Sequence, residues 1–102
     1  MAFRDCCREI PDAVERVHRT EISFAVARSF ATAYVKSHYL ELGIYLTRRV
    51  ETPRPRATVP VSKTVWLNRY SLRELEQFDD TLRGLIREAA ETVGPGARRD
   101  VR

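Results

Sequence analysis

An apolar stripe at helical spacing is the feature that most limits what this chain can become. Leu72, Leu75, Phe78, Leu82, Leu85, Ile86, Ala89 and Val93 step by three and four residues, the repeat of one face of an α-helix. Ser71 and Glu74 stand at its head in the spacing of a capping box, in which the serine caps a backbone N–H and the glutamate reaches back. Gly94-Pro95 closes the run. A helix over 71–93 has to lay this stripe on apolar material, and a chain of 102 residues can build one modest core to receive it.

The stretch before it changes period. Leu40, Leu42, Ile44 and Leu46 fall on one side, and Tyr39, Glu41, Tyr45, Thr47 and Arg49 on the other, which is the alternation of a half-buried strand. Val59, Val61, Val65 and Leu67 resume the pattern after the prolines. The segment TPRPRA between them reads as the tip of a β-hairpin. Pro60 has no N–H to give a ladder, so the second strand is expected at a sheet edge.

Upstream, two helices are expected. Residues 1–9 read as a flexible N-terminal arm. Ile10-Pro11 opens a short helix, proline suiting the first helical position, and Val14 and Val17 continue its face towards His18. Thr20 caps a second helix over TEISFAVARSFATAYVKSHY. Ile22, Phe24, Val26 and Phe30 are β-formers at even spacing, but Ala25, Ala27, Ala31 and Ala33 favour helix. Glu21, Arg28 and Lys36 then draw one polar stripe along it. The expected fold is therefore α+β in the order α-α-β-β-α: two N-terminal helices, a β-hairpin with a basic tip, and a long C-terminal helix. It forms a single globular domain over 10–93, followed by a disordered basic tail over 94–102.

Charge is concentrated in one place. Residues 48–73 hold Arg48, Arg49, Arg54, Arg56, Lys63, Arg69 and Arg73 against Glu51, a net of +6, whereas the whole chain is only +4. The remainder therefore sums to −2, and a local basic patch of this kind points to a polyanionic partner. Arginine forks match phosphate geometry, and prolines stiffen the segment that carries them. Trp66 takes the parity opposite to Val65 and Leu67, which leaves two readings equally open: it faces outward where it can stack on a base, or it packs against the last helix. The candidate nucleic-acid-binding residues are Arg48, Arg49, Arg54, Arg56, Lys63, Trp66 and Arg69. The competing reading is a solvated loop that protects a sheet edge from aggregation.

The segment LELGIYLTRRVETPRPRATVPVSKTVWLNRYSLRELEQFDDTL resembles the wing and following helix of winged-helix DNA-binding domains. That resemblance implies backbone or minor-groove contacts from Arg48, Arg49, Arg54 and Arg56, and a recognition helix around Thr32 to His38. It covers about half of the chain, without a turn that would split residues 20–38 into a helix-turn-helix. The hairpin arm and VSKTVWLNRYSLREL are also similar to the HU family of histone-like proteins, although the glycine-rich turn and tip motif of that family are absent. A third similarity, to small single-strand binders of the Whirly type, requires strands over residues 21–46.

Other chemistry has little support. Cys6 and Cys7 are adjacent, with no CxxC and no second pair for a zinc site. His18 and His38 stand apart from any nucleophile motif, and Asp79-Asp80 diverge by about 100° if they lie within a helix. No catalytic residue, metal site, cofactor or small-molecule substrate is expected, and the chain is read as a non-enzyme. No apolar run is long enough to span a bilayer, and the charged MAFRDCCRE start is unlike a signal peptide, so the protein is expected to be intracellular, in the cytoplasm or with the nucleoid. The partner expected is nucleic acid, DNA ahead of RNA, bound by a homodimer that buries the apolar faces of the second and last helices. The alternative is an assembly subunit whose basic hairpin meets an acidic protein face.

Overall fold

The computed structural model describes residues 2–51 and 55–96. In chain order it contains α1 (Ala2–Arg8), β1 (Val14–Val17), β2 (Glu21–Ala25), β3 (Ser29–Val35), β4 (Leu40–Leu46), β5 (Ala57–Pro60), β6 (Trp66–Leu72), a 3₁₀ turn at Leu75–Gln77 and α2 (Asp80–Thr92). The six strands form one sheet in the order β1-β2-β3-β4-β6-β5, with every neighbouring pair antiparallel. The α-α-β-β-α expectation is therefore corrected. The described residues are dominated by strands, with one short helix before the sheet and one helix after it.

Register explains how one side of this sheet becomes a core. Ile22, Ala33, Leu42 and Tyr70 lie in one cross-strand row, and Phe24, Ala31, Ile44 and Asn68 in the next. Side chains directly opposite one another share a face, and these rows meet α1 and α2. Phe3 of α1 packs edge-on against Phe24, with ring centroids 5.7 Å apart. Leu82, Leu85, Ile86 and Ala89 of α2 are buried in the same cluster. Phe30, the extra residue at a bulge between β2 and β3, is also fully buried there.

The alanines misdirect a reading of the sequence for a physical reason. Ala31 and Ala33 lie on β3, beneath α2, and neither is accessible to solvent. Small side chains let a helix approach a central strand closely, so packing outweighs the weak intrinsic β-propensity of alanine. The seven- and eight-residue charge spacing has an equally local origin. Glu21 begins β2, whereas Arg28 and Lys36 lie in the turns after β2 and β3. Turns recurring at that interval imitate a helical polar stripe.

The other corrections follow from pairing. Residues 2–8 form α1 rather than an arm, and bury Phe3, Cys6 and Cys7. Both cysteines are free thiols, and burial raises the pKa of each. The expected helix from Ile10 is a turn with Asp12 in the left-handed region (φ 66°), followed by β1. Its Glu15 faces α1 and is bridged by Arg4 at 2.7 Å and Arg8 at 2.9 Å. Ser71 is no helix cap: β6 runs through it to Leu72, opposite Leu40. The capping box belongs to Glu74 and Gln77 at the 3₁₀ turn, and Asp79 caps α2 by accepting the Leu82 N–H at 3.0 Å. Asp79-Asp80 thus marks a helix start and not a helix middle. The helix does stop before Gly94, where a Cβ would lie 2.3 Å from the Ala90 carbonyl oxygen.

The hairpin is also re-paired. β4 pairs with β6 and not with β5, so the tight turn of this region is 61–65, between β5 and β6. The chain leaves β4 with residues 47–51 and enters edge strand β5, on the far side of β6, from Arg56, a crossover of which residues 52–54 lie outside the described residues. Asn68 holds this crossover. Its side chain, fully buried, accepts the Val50 N–H at 2.9 Å and donates to the Arg48 carbonyl at 3.2 Å. Pro60 does lie on an edge strand.

Candidate functional site

Both helices pack on one face of the sheet, and the opposite face carries the polar residues of the same strands. Register places Glu21, Tyr34, Glu41 and Ser71 in one row across β2, β3, β4 and β6. The next row holds Ser23, Thr32, Gly43, Arg69 and Ala57, and the one after pairs Tyr45, Leu67 and Val59. A groove of about 400 Å³ runs over this surface, with Thr32, Tyr34, Glu41, Tyr45, Arg56 and Arg69 on its walls.

Gly43 makes the depression. A Cβ built there would lie 2.7 Å from Thr32 Oγ1 and 3.0 Å from Leu67 Cδ1, so even a methyl group would press on both neighbours, and a bulkier side chain would fill the depression. Tyr45, two residues on and pointing the same way, is half-buried. Burial raises its phenol above the ordinary range, Glu21 and Tyr34 add to that, and Arg69 opposes it. The phenol is therefore a neutral hydroxyl, available for hydrogen bonding. Tyr34 is 37% exposed, with Lys36 Nζ 5.4 Å from its ring centroid.

Glu41 is the electrostatic centre of the groove. Arg56 Nη2 approaches its Oε2 at 3.4 Å and Arg69 Nη1 approaches the same oxygen at 3.5 Å. Both contacts are long, and a guanidinium has five N–H donors. Two guanidinia around one carboxylate leave an excess positive charge, with donor capacity directed at the open groove. Arg56 reaches this position because its backbone N–H donates to the Arg69 carbonyl at 2.7 Å, which extends β5 onto β6.

The residues singled out from sequence are divided by the fold. Arg56 and Arg69 come together in the groove. Arg48 points the other way and forms a two-pronged pair with Glu88 of α2, at 2.9 Å for each contact. Those hydrogen bonds hold the Glu88 carboxyl below the usual carboxylate range. Arg49 stacks over Trp66, 5.3 Å from the ring centroid. Trp66 lies opposite Leu46, on the helix-bearing side, and is half-buried; it is Leu67 that faces the open surface. Lys63 is exposed in the 61–65 turn. Arg54 falls outside the described residues. Thr32–His38, which the winged-helix resemblance assigns to a recognition helix, is strand β3 and its turn.

Arg48 thus has a structural task, tying the crossover to α2. Arg48→Ala is expected to lower stability by up to about 1 kcal/mol, the range of exposed ion pairs, as measured by urea denaturation. A loss several times larger would show that more than this pair depends on it.

Sequence reasoning misses Tyr34, Glu41, Gly43 and Thr32 as site residues. A signal for Glu41 and Tyr45 exists, since both fall on the polar parity of a strand. Thr32 and Tyr34 are hidden by the helical reading of residues 20–39. Among the described residues no group of histidine, cysteine or carboxylate side chains is placed to hold a metal ion. No helix among them is long and apolar enough to cross a membrane.

Fold and site together define a small α+β domain with one sheet, armoured by helices on one face and grooved on the other. The chain belongs to the family described as a domain of unknown function, DUF5655, whose model matches residues 3–93. No curated protein and no solved structure shows significant similarity to it.

Proposed function

We propose that this domain binds nucleic acid in single-stranded form on the open face of its sheet. The observation that carries the reading is the groove itself, where Tyr34 on β3 and Tyr45 on β4 lie to one side of the paired guanidinia of Arg56 and Arg69, on a surface not covered by either helix. Aromatic rings on an open sheet offer stacking platforms to unpaired bases, and adjacent arginines meet the phosphates. Strands over most of residues 21–46 are what the likeness to single-strand binders of the Whirly type requires, and the chain has strands there. The apolar surface that suggests a homodimer is largely used within the chain: Phe24, Phe30, Leu82, Leu85 and Ile86 are all core. The binding unit proposed is therefore one domain, with DNA tested first and RNA beside it.

The test is fluorescence anisotropy of labelled single- and double-stranded DNA, and of RNA, at two salt concentrations. Single strands are expected to bind more tightly, with an affinity that falls steeply with salt. Replacing Arg56 and Arg69 together by alanine should reduce the salt slope by roughly 0.7 for each phosphate no longer neutralised. Tyr34→Ala should weaken binding by roughly 5- to 150-fold, the worth of one stacked base. Arg48→Ala should bind as the parent does. Absence of binding at low salt, or groove variants indistinguishable from the parent, would overturn the proposal.

A further inference from the structure

A second cavity lies at the end of the sheet where β3 turns into β4 and β6 leads towards α2, and its volume is about 400 Å³. That is within the range of about 300–1,000 Å³ usual for small-molecule sites. Phe3, Leu40, Leu72 and Phe78 line it, and Val35 and Leu75 belong to the same cavity. The last two are 56% and 76% exposed. Two large aliphatic side chains so open to water, converging on one cavity, form a surface that an apolar ligand would cover.

The charges beside this cavity are unequal. Lys36, His38 and Arg73 line it together with one acid, Glu74. The Glu74 backbone is fixed by the 3₁₀ turn, its carbonyl accepting the Gln77 N–H at 3.1 Å and its N–H donating to Gln77 Oε1 at 2.8 Å. Arg73 is steadied by Tyr39, its guanidinium carbon 5.5 Å from the ring centroid. Its backbone N–H donates to Gln77 Oε1 at 2.6 Å, which fixes the backbone from which the side chain departs. The cavity therefore joins apolar walls to a rim on which the cations Lys36 and Arg73 outnumber the single acid Glu74.

We propose that this cavity binds an amphipathic monocarboxylate, a linear fatty acid of medium length, with its tail against Leu72, Leu75 and Phe78 and its carboxylate on Arg73. The complementarity is twofold: a tail for the exposed aliphatic side chains, and a single negative head for the rim. This site does not depend on the nucleic-acid reading. It shares Lys36 and Tyr39 with the groove, so the test uses Arg73 and Leu75, which line the cavity and not the groove.

The experiment titrates the whole protein with hexanoate, octanoate and decanoate, each below its micellar concentration, and follows amide shifts by NMR. Affinity is expected to rise about fourfold for each added methylene, with shifts centred on Val35, Leu72, Arg73 and Leu75. Decyltrimethylammonium, with the same tail and the opposite charge, should bind at least about tenfold more weakly than decanoate. Leu75→Asp should weaken decanoate by about tenfold or more, and because Leu75 is exposed the variant should keep the parent's spectrum. Arg73→Glu should do the same through the head group. Equal binding of the cationic surfactant, shifts centred elsewhere, or no saturable binding of decanoate would overturn the proposal.

Discussion

Replacing Asn68 by alanine is expected to lower the free energy of unfolding by about 2–4 kcal/mol, a large part of what a domain of this size possesses. Asn68 is a fully buried polar side chain whose carbonyl oxygen accepts the Val50 N–H and whose amide donates to the Arg48 carbonyl. Truncation leaves those groups without their partner and opens a cavity at the same point. An unmade hydrogen bond at a buried group costs about 1–3 kcal/mol, and the two effects add. The melting temperature should fall by on the order of 10–15 °C, read by thermal unfolding and checked by urea titration. Asn68→Asp should be no better, because it keeps an acceptor for Val50 but loses the donor and buries a charge. The consequence reaches the groove as well. The crossover that Asn68 holds leads into Arg56, so ligand affinity should fall in the alanine variant even where it remains folded. A loss below about 1 kcal/mol would show that the crossover is held by something other than this side chain.

That residue also shows where the sequence stops being informative. Asn68 sits between Leu67 and Arg69 in a stretch that reads as strand, and nothing in its neighbours marks it as a clamp for the segment around Arg48 and Val50. Strand existence is legible where one face is apolar and the other polar, as in Leu40–Leu46. Strand partnership is not. A single sequence shows that β4, β5 and β6 alternate, but the choice of β6 over β5 as the neighbour of β4 is made by long-range packing. The β2–β3 region misleads for a different reason: its alanines serve a helix that lies above them, and propensity has no knowledge of that helix. The α2 stripe is legible from Leu82 onward. Leu72 and Leu75 fall on the same spacing by coincidence, one belonging to a strand and the other exposed on a 3₁₀ turn.

The basic segment makes the same point about function. Its arginines are visible as a cluster, but the fold sends them to different places. Arg48 is paired on the helix side, Arg49 lies over Trp66, and Arg56 and Arg69 reach the groove. Carboxylates distant in sequence decide this: Glu88 claims Arg48, and Glu41 gathers Arg56 and Arg69. A charge count over a window cannot see such partners. It can only say that positive charge is available locally, and the crossover then distributes it.

Gly43→Val is expected to close the groove, reducing single-strand binding by at least about thirtyfold, the worth of a stacked base in the middle of its range. The added Cβ alone meets Thr32 Oγ1 at 2.7 Å and Leu67 Cδ1 at 3.0 Å. Two further methyl groups would crowd the space beside Tyr45. Valine suits a strand better than glycine, which recovers some backbone entropy, but overpacking costs about 1–3 kcal/mol, so a net loss of about 1–2 kcal/mol should remain. A pair of milder variants separates crowding from any general weakness of β4. Gly43→Ala should cost stability alone, and Thr32→Ala should return part of it when the two are combined, because it removes the atom nearest the new Cβ. Residues in contact couple in such a cycle, whereas independent sites add. Simple additivity would mean that the glycine is not there to keep Thr32 and the floor of the groove apart. Coupling in stability, together with weakened binding in the valine variant, would establish that the central strand gives up a side chain at Gly43 in order to hold the groove open.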